Sequence, residues 1–489
     1  MKPSKAEAKT SLIIGLVIII IIIAVAAVYM SQQKPAETTP TTTPSPTTVT
    51  VKETVTSTVP TTVTTYTTTT AVTTKTQVVT TTTATPVEKV FIRFAGWSAG
   101  ETEMKNYEKI IKMFEQKYPN IEVKYEVITQ MFHENILASF GAGVAPDVFY
   151  LDSSWAPTFI EKGALYPLSD LLGQDFINQF YDFLLEPFKG SDGKIYGVPK
   201  DWSMLILFYN KKLFEQAGLT KPPETWDELK EYAEIIANKT GVPGLAIYLG
   251  GFNRYVPVAL SNGAPKPWFA SPDDASWFDN PVVKQTMAWY INLYYEGKVK
   301  REEAGLTPYV VSPGDVGAGW LGDAFGSQKV AMVISGNWMI PFLADQYPDF
   351  KFGEDWDIAP LPKGSAGRVT MAYTVALAIN AKTEHPKEAA EFVKYVTGLE
   401  GQKELVVKMG HTLPSIKGLE NDPNMWPQHK KSLSFLPEYT MVQVFFWGPK
   451  TGELEGTISD IMASAMRGEI TVDEALQAMK QAVQEAFSG

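Results

Sequence analysis

Few residues of this chain are spaced for covalent chemistry. It holds no G-x-S-x-G, no H-E-x-x-H, no G-x-x-x-x-G-K-[ST], and no G-x-G-x-x-G after its first strand candidate. The four histidines, His133, His385, His411 and His429, include no pair at metal-ligand spacing, so neither a metal site nor a cofactor is expected. His385 stands beside a helix start and reads as the neighbour of a cap. The chain has no cysteine. That removes thiol catalysis, Cys-ligated zinc, disulfides and a lipid anchor on an N-terminal cysteine. Acid pairs such as Glu101 with Glu103, or Asp273 with Asp274, suit a glycosidase only if they oppose each other across a sugar at ~5–9.5 Å. Adjacent acids are more often solvated surface, so catalysis is not the expectation.

The aromatic residues point elsewhere. All twelve tryptophans lie beyond residue 88. Trp97 follows the first strand candidate, Trp155 follows DVFYLD and Trp338 follows VAMVISG, while Trp202, Trp268, Trp320 and Trp447 also fall at strand ends or in loops. Open α/β sheets bind ligands beyond the carboxyl ends of their strands. Pyranose faces carry C–H groups that pack on flat rings, and sugar hydroxyls both donate and accept, so Asp, Glu, Asn and Arg orient them. Any single indole is as readily core as contact. Trp226, inside a Thr-x-x-Glu sequence, and Trp289, on a helical face with Leu293, read as packing.

The elements that must position these residues alternate strand and helix. Val90–Gly96 reads as a strand, and Tyr107, Ile110, Ile111, Phe114 and Tyr118 form one helical face. Ile121–Ile128 alternates as a strand, a helix runs near Phe132–Phe140, and Asp147–Asp152 is a short buried strand. Further strands are expected at Met204–Tyr209, Val330–Ser335, Asp357–Leu361 and Thr374–Asn380. Thr225 with Glu228 and Thr471 with Glu474 have capping-box spacing, and Pro386 opens another helix. The βαβαβ opening implies a mainly parallel sheet covered by helices.

The first ninety residues differ. Lys2, Lys5 and Lys9 precede an uncharged run, Leu12–Met30. At ~1.5 Å per residue its roughly 19 residues span ~28 Å, close to a bilayer's hydrocarbon core. The charge asymmetry puts the N-terminus inside. An uncleaved transmembrane anchor is expected; a signal cleaved near Ala24-Val25-Ala26 is the alternative. Threonine then fills nearly half of residues 31–86, which reads as a disordered, stalk-like segment. The net charge of −11 argues against a nucleic-acid partner.

Several ordered stretches resemble the family 1 extracellular solute-binding proteins, which serve ABC importers and include maltose/trehalose- and glycerol-3-phosphate-binding proteins. They include YEKIIKMFEQKYPNIEVKYEVI at 107–128, GAGVAPDVFYLDSSWAPTFIEKGALYPLSDLL at 141–172 and the long stretch at 193–237. KVAMVISGNW at 329–338, IAPLPKG at 358–364, 375–398 and GHTLPS at 410–415 continue it. The resemblance implies a two-lobed, type II periplasmic-binding-protein-like α/β fold, each lobe a mainly parallel sheet flanked by helices. The division would be an anchor or signal at 1–30, a stalk at 31–87, lobe I at 88–200 and 337–398, and lobe II at 203–334 and 402–489. Crossovers are expected near Val198–Ser203, Ser335–Asn337 and Gly398–Gly401. Matching positions imply binding roles for Trp97, Ser98, Glu101, Asp152, Trp155, Asp201, Trp202, Gly336, Asn337, Trp338, Tyr373 and Trp447; Asp147 matches too, as a structural residue. The expected function is capture of a sugar for an ABC permease by a membrane-anchored extracellular subunit. A glycerol phosphodiester, polyamine or peptide is the alternative ligand, and a surface-anchored carbohydrate-active enzyme the alternative class.

Overall fold

The computed structural model describes residues 89–97 and 101–488. The anchor, the stalk and Ser98 lie outside the described residues. Among the described residues no helix is long and apolar enough to cross a membrane. The described residues form one compact unit.

Its strands are β1 (Val90–Gly96), β2 (Ile121–Val127), β3 (Val148–Asp152), β4 (Gly197–Asn210), β5 (Leu245–Ala246), β6 (Val310–Val311), β7 (Met332–Gly336), β8 (Trp356–Ala359), β9 (Lys363–Gly364), β10 (Gly367–Ile379) and β11 (Met441–Val444). The main order is β2-β1-β3-β10-β4-β7-β5-β6, with β11 and β9 on β10 and β8 on β4. The sheet is mixed rather than mainly parallel. β1 pairs parallel with β2 and β3, and β5 with β6 and β7, at the two wings. Every pairing of β4 is antiparallel, and so are those of β10 with β3 and β4. The reason is topological: β4 carries the chain out of one wing, and β10 carries it back alongside in the opposite direction.

Three cores follow from this layout. One joins β1 and β3 to Val198 of β4, to Ala376–Ile379 of β10 and to the helix Glu101–Lys117. That helix buries Tyr107, Ile110, Ile111 and Phe114, the face its spacing predicts, with Glu101 and Glu103 at its positive end and Lys117 at its negative end. The other two cores cover opposite faces of the second wing. One holds Leu205 and Leu207; the other holds Trp202, Met204, Ile206 and Phe208. The chain therefore changes core within β4, between Val198 and Trp202, and within β10, between Ala372 and Ala376.

The expected divisions at 335–337 and 398–401 do not coincide with a change of core. Met339, Ile340, Leu343, Trp356 and Ile358 share a core with β4's second half, because β7 and β8 both pair with that half. Leu405, Val406, Val407 and Met425 stay with the first core.

The helix Val472–Ala486 starts with a complete Thr471–Glu474 capping box. At Trp226–Thr240 only half of the box forms. Thr225 accepts from the Glu228 amide, but the Glu228 carboxylate accepts from the Glu224 amide at 2.7 Å. Trp226 and Trp289 pack edge-on, as their helical positions predict. Asp147 is structural: it accepts from the Arg93 amide at 2.8 Å and from Thr383 Oγ1 at 2.5 Å.

Candidate ligand-binding site

Where β3, β10 and β4 lie side by side, their register sets the floor of a cleft. Val375 of β10 is flanked by Asp152 of β3 and Asp201 of β4. Two residues along, Tyr373 pairs with Ser203. A bridge between Trp202 and Leu413 adds another short strand, which places Thr412 opposite Ser203. Side chains alternate along a strand, so Asp201 and Ser203 face the cleft while Trp202 and Met204 enter the core behind. The cleft holds about 570 Å³, inside the ~300–1,000 Å³ usual for small-molecule sites.

Walls rise on both sides. The first comprises Trp97, at the end of β1, and Thr102, Glu103 and Asn106 of the helix Glu101–Lys117. Trp97 is held edge-on by Phe132 at 4.9 Å and Tyr150 at 5.0 Å. The opposite wall comprises Trp338 and, from the helix Met339–Gln346, Phe342 and Asp345. Trp338 meets Tyr373 at 5.2 Å and 90°. Its indole folds back over Gly336, where a Cβ would lie 2.1 Å from the ring, so glycine is required there. A third aromatic, Trp426, lies over Gly410 (φ +66°), where a Cβ would come within 2.2 Å. Across the cleft, Thr102 Oγ1 donates to Asp345 Oδ1 at 2.5 Å.

At the deep end is a charge cluster. Lys200 Nζ donates to Asp201 Oδ2 at 2.6 Å, and both side chains are almost fully buried. His411 Nε2 stands 3.1 Å from Asp201 Oδ2, 3.3 Å from Glu103 Oε1 and 3.2 Å from Lys200 Nζ. The ammonium also lies 4.8 Å from the centre of the Tyr150 ring. Burial alone would raise the Asp201 pKa. Lys200 and His411 more than offset it and hold the carboxyl well below its usual range.

Of the expected binding residues, Trp97, Asp152, Asp201, Trp338 and Tyr373 line the cleft. Glu101 points outward and pairs with Lys105 at 2.8 Å. Trp155 is half-buried, stacked on His133 at 4.9 Å. Gly336 contributes room for Trp338 rather than a contact. Trp202 is core, its Nε1 donating to the Pro414 carbonyl at 2.9 Å. Asn337 is fully buried and ties β4 to the C-terminal segment, accepting from the Met204 amide and donating to Ser432 Oγ. Trp447 is fully buried against Phe252 and Phe445. Strand alternation turns Trp202 away from the cleft, whereas Trp447 lies in the loop beyond β11 and packs into the core that holds Leu205 and Leu207.

Lys200, Ser203, His411, Thr412 and Trp426 also line the cleft, and none of them is among the binding residues that the resemblance implies. Ser203 had a signal, since it lies two residues from Asp201 in a strand. His411 and Thr412 had one too, in the GHTLPS stretch that carries part of the resemblance; Trp426 had none, because it arrives from a segment remote in sequence.

Residues 98–403 match the family model of the bacterial extracellular solute-binding proteins. The multiple sugar-binding protein of Streptococcus mutans is 27% identical over 374 residues, 74% of this chain and 84% of its own length. The maltotriose-binding protein of Pyrococcus abyssi is 26% identical over 331 residues, 66% of each chain. Among solved structures, maltose-bound MalE3 of T. maritima superposes with a TM-score of 0.68 at 22% identity, covering 81% of this chain and all of that one. The GacH receptor of Streptomyces glaucescens, solved unliganded and with acarbose, gives 0.69 at 24% identity, covering 82% and 99%. These two structures share the two-lobed fold.

Proposed function

This chain belongs to the bacterial extracellular solute-binding protein family, and we propose that it captures a sugar or oligosaccharide in its cleft and delivers it to the membrane permease of an ABC importer. The observation that carries this reading is the make-up of the cleft. Flat aromatic faces from Trp97, Trp338 and Trp426 surround a floor of carboxylates and hydroxyls. Rings of that kind pack on sugar C–H faces, and the polar floor fixes the hydroxyls. The sugar-binding names of the relatives support the same ligand class.

The binding residues come from both wings of the sheet. A sugar that touches both favours the state in which they are close, and the strands that change core, β4 and β10, are the natural hinges. The permease would read that closure. No bond is made or broken. A glycosidase needs a carboxyl kept protonated near neutral pH, whereas Lys200 and His411 keep Asp201 ionised despite its burial. Among the described residues, Glu455 is the carboxyl that burial raises, and it is absent from the cleft lining. The Leu12–Met30 run, with the Thr-rich segment after it, would tether the receptor to the outer face of the membrane; cleavage near Ala26 would release it.

The test is a thermal-shift screen of the full-length protein in a non-glycosidic detergent. Mono- and oligosaccharides, glycerol phosphates, polyamines and peptides are compared. A saccharide is expected to raise the melting temperature, because binding only the folded state adds stability. A shift with a phosphate ester, polyamine or peptide and with no saccharide would overturn the sugar assignment.

A further inference from the structure

We propose that the floor of this cleft discriminates by charge, seating an uncharged saccharide on the Ser203 and Thr412 hydroxyls and rejecting saccharides that carry a carboxylate, sulfate or phosphate. The proposal rests on the sugar reading above and adds the ligand's charge class to it.

Two observations carry it. The first is a pair of unmet hydroxyls. Ser203 and Thr412 are 3% and 7% exposed. Ser203 Oγ and Thr412 Oγ1 are buried and have no hydrogen-bond partner among the described residues. Both residues line the cleft, and the Trp202–Leu413 bridge sets them opposite each other on one face. Hydroxyls on the neighbouring strand are satisfied: Thr370 Oγ1 donates to the Leu205 carbonyl at 2.7 Å, and Thr374 Oγ1 to the Asp201 carbonyl at 3.0 Å. A buried polar group left unmet is unfavourable, so two that face one cleft mark where a ligand's own donors and acceptors complete the site. A sugar hydroxyl, which does both, fits each of them.

The second is the balance of charge. Four carboxylates line the cleft, those of Glu103, Asp152, Asp201 and Asp345, against one ammonium, Lys200. That ammonium is committed to Asp201 at 2.6 Å and lies under the Tyr150 ring. His411 is likewise engaged, between Asp201 and Glu103. Among the described residues no lining cation remains to receive an anion. Walls of low polarity focus the negative potential inside a cleft, and an anionic ligand would meet it without compensation.

The experiment titrates the full-length protein, in a non-glycosidic detergent, with maltotriose, mannotriose and their counterparts oxidised to uronic acids at the primary alcohols. A neutral trisaccharide is expected to bind, and its oxidised counterpart at least ~100-fold more weakly. Ser203→Ala and Thr412→Val are expected to weaken neutral binding about tenfold each, with an unfolding midpoint equal to or above that of the parent. A uronic trisaccharide that binds as tightly as its neutral partner overturns the charge filter and leaves sugar capture standing. Parent affinity in both hydroxyl variants overturns the role of the floor. If no saccharide binds while a ligand of another class does, the sugar reading fails, and this inference with it.

Discussion

Trp338 and Trp447 show how one residue type takes opposite roles. Trp338 lines the cleft against Tyr373, whereas Trp447 is fully enclosed. Trp338→Ala is expected to cost at least ~2 kcal/mol of binding, about 30-fold in affinity, with little change in the denaturation midpoint. Trp447→Ala should cost about 3–5 kcal/mol of stability in chemical denaturation. The reverse pattern would exchange their assignments. Glu455 makes a prediction about pH. Its Oε1 accepts from the Asn253 amide and from Asn253 Nδ2 at 2.6 Å, and Asn253 Oδ1 accepts from Tyr373 OH at 3.0 Å. Its other oxygen is sealed from solvent and has no partner among the described residues. Burial pushes this carboxyl up to about 7, above the ~4.3 of a free glutamate. The folded state therefore holds a proton that the unfolded chain releases. The contribution is complete below pH ~4.3 and is lost as pH rises through 7, an effect of a few kcal/mol. Glu455→Gln should flatten that slope in denaturation midpoints measured from pH 4.5 to 8; an unchanged slope would place the proton elsewhere.

At the scale of the element, the short regular pieces were legible and the long crossing strands were not. β1, β2, β3 and the helix Glu101–Lys117 showed their alternation or helical spacing because each buries a single face or is wholly apolar. β4 runs from Gly197 to Asn210, yet the sequence pattern marks only Met204–Tyr209 as strand. Its first half carries Pro199, Lys200 and Asp201, which break the apolar pattern. Those charges are the buried cluster of the site, so what hid the strand is what the site is made of. β10 was likewise halved, at the point where it changes core. Trp97, Asp152 and Trp338 stand at or just past strand ends, where the pattern alone points to them, whereas Asp201 and Tyr373 lie inside β4 and β10 and are marked only by the family resemblance. Elements also meet across the cleft at Thr102 and Asp345, whose helices pack into different cores. Thr102→Val is expected to remove about 1 kcal/mol from the closed state. That should appear as a roughly fivefold faster ligand release in stopped-flow fluorescence. Unchanged release would mean that the bond does not hold the lobes.

For the whole molecule, the two wings share one mixed sheet, and the chain passes between their cores within β4 and β10. The negative net charge of the chain and the acidic lining of the cleft act in the same direction, favouring neutral ligands. Small-angle scattering should show a smaller radius of gyration with a bound saccharide than without, because ligand contacts to both wings favour closure. A radius unchanged at saturation would argue against hinge motion. The most direct measurement of sugar capture uses the indoles themselves, since Trp97, Trp338 and Trp426 line the cleft. Titrating the full-length protein with maltotriose and mannotriose while following tryptophan emission is predicted to give a saturable change with at least one of them, strongly weakened in Trp338→Ala. A flat response to both, in a protein that a non-saccharide ligand stabilises against heat, would contradict it.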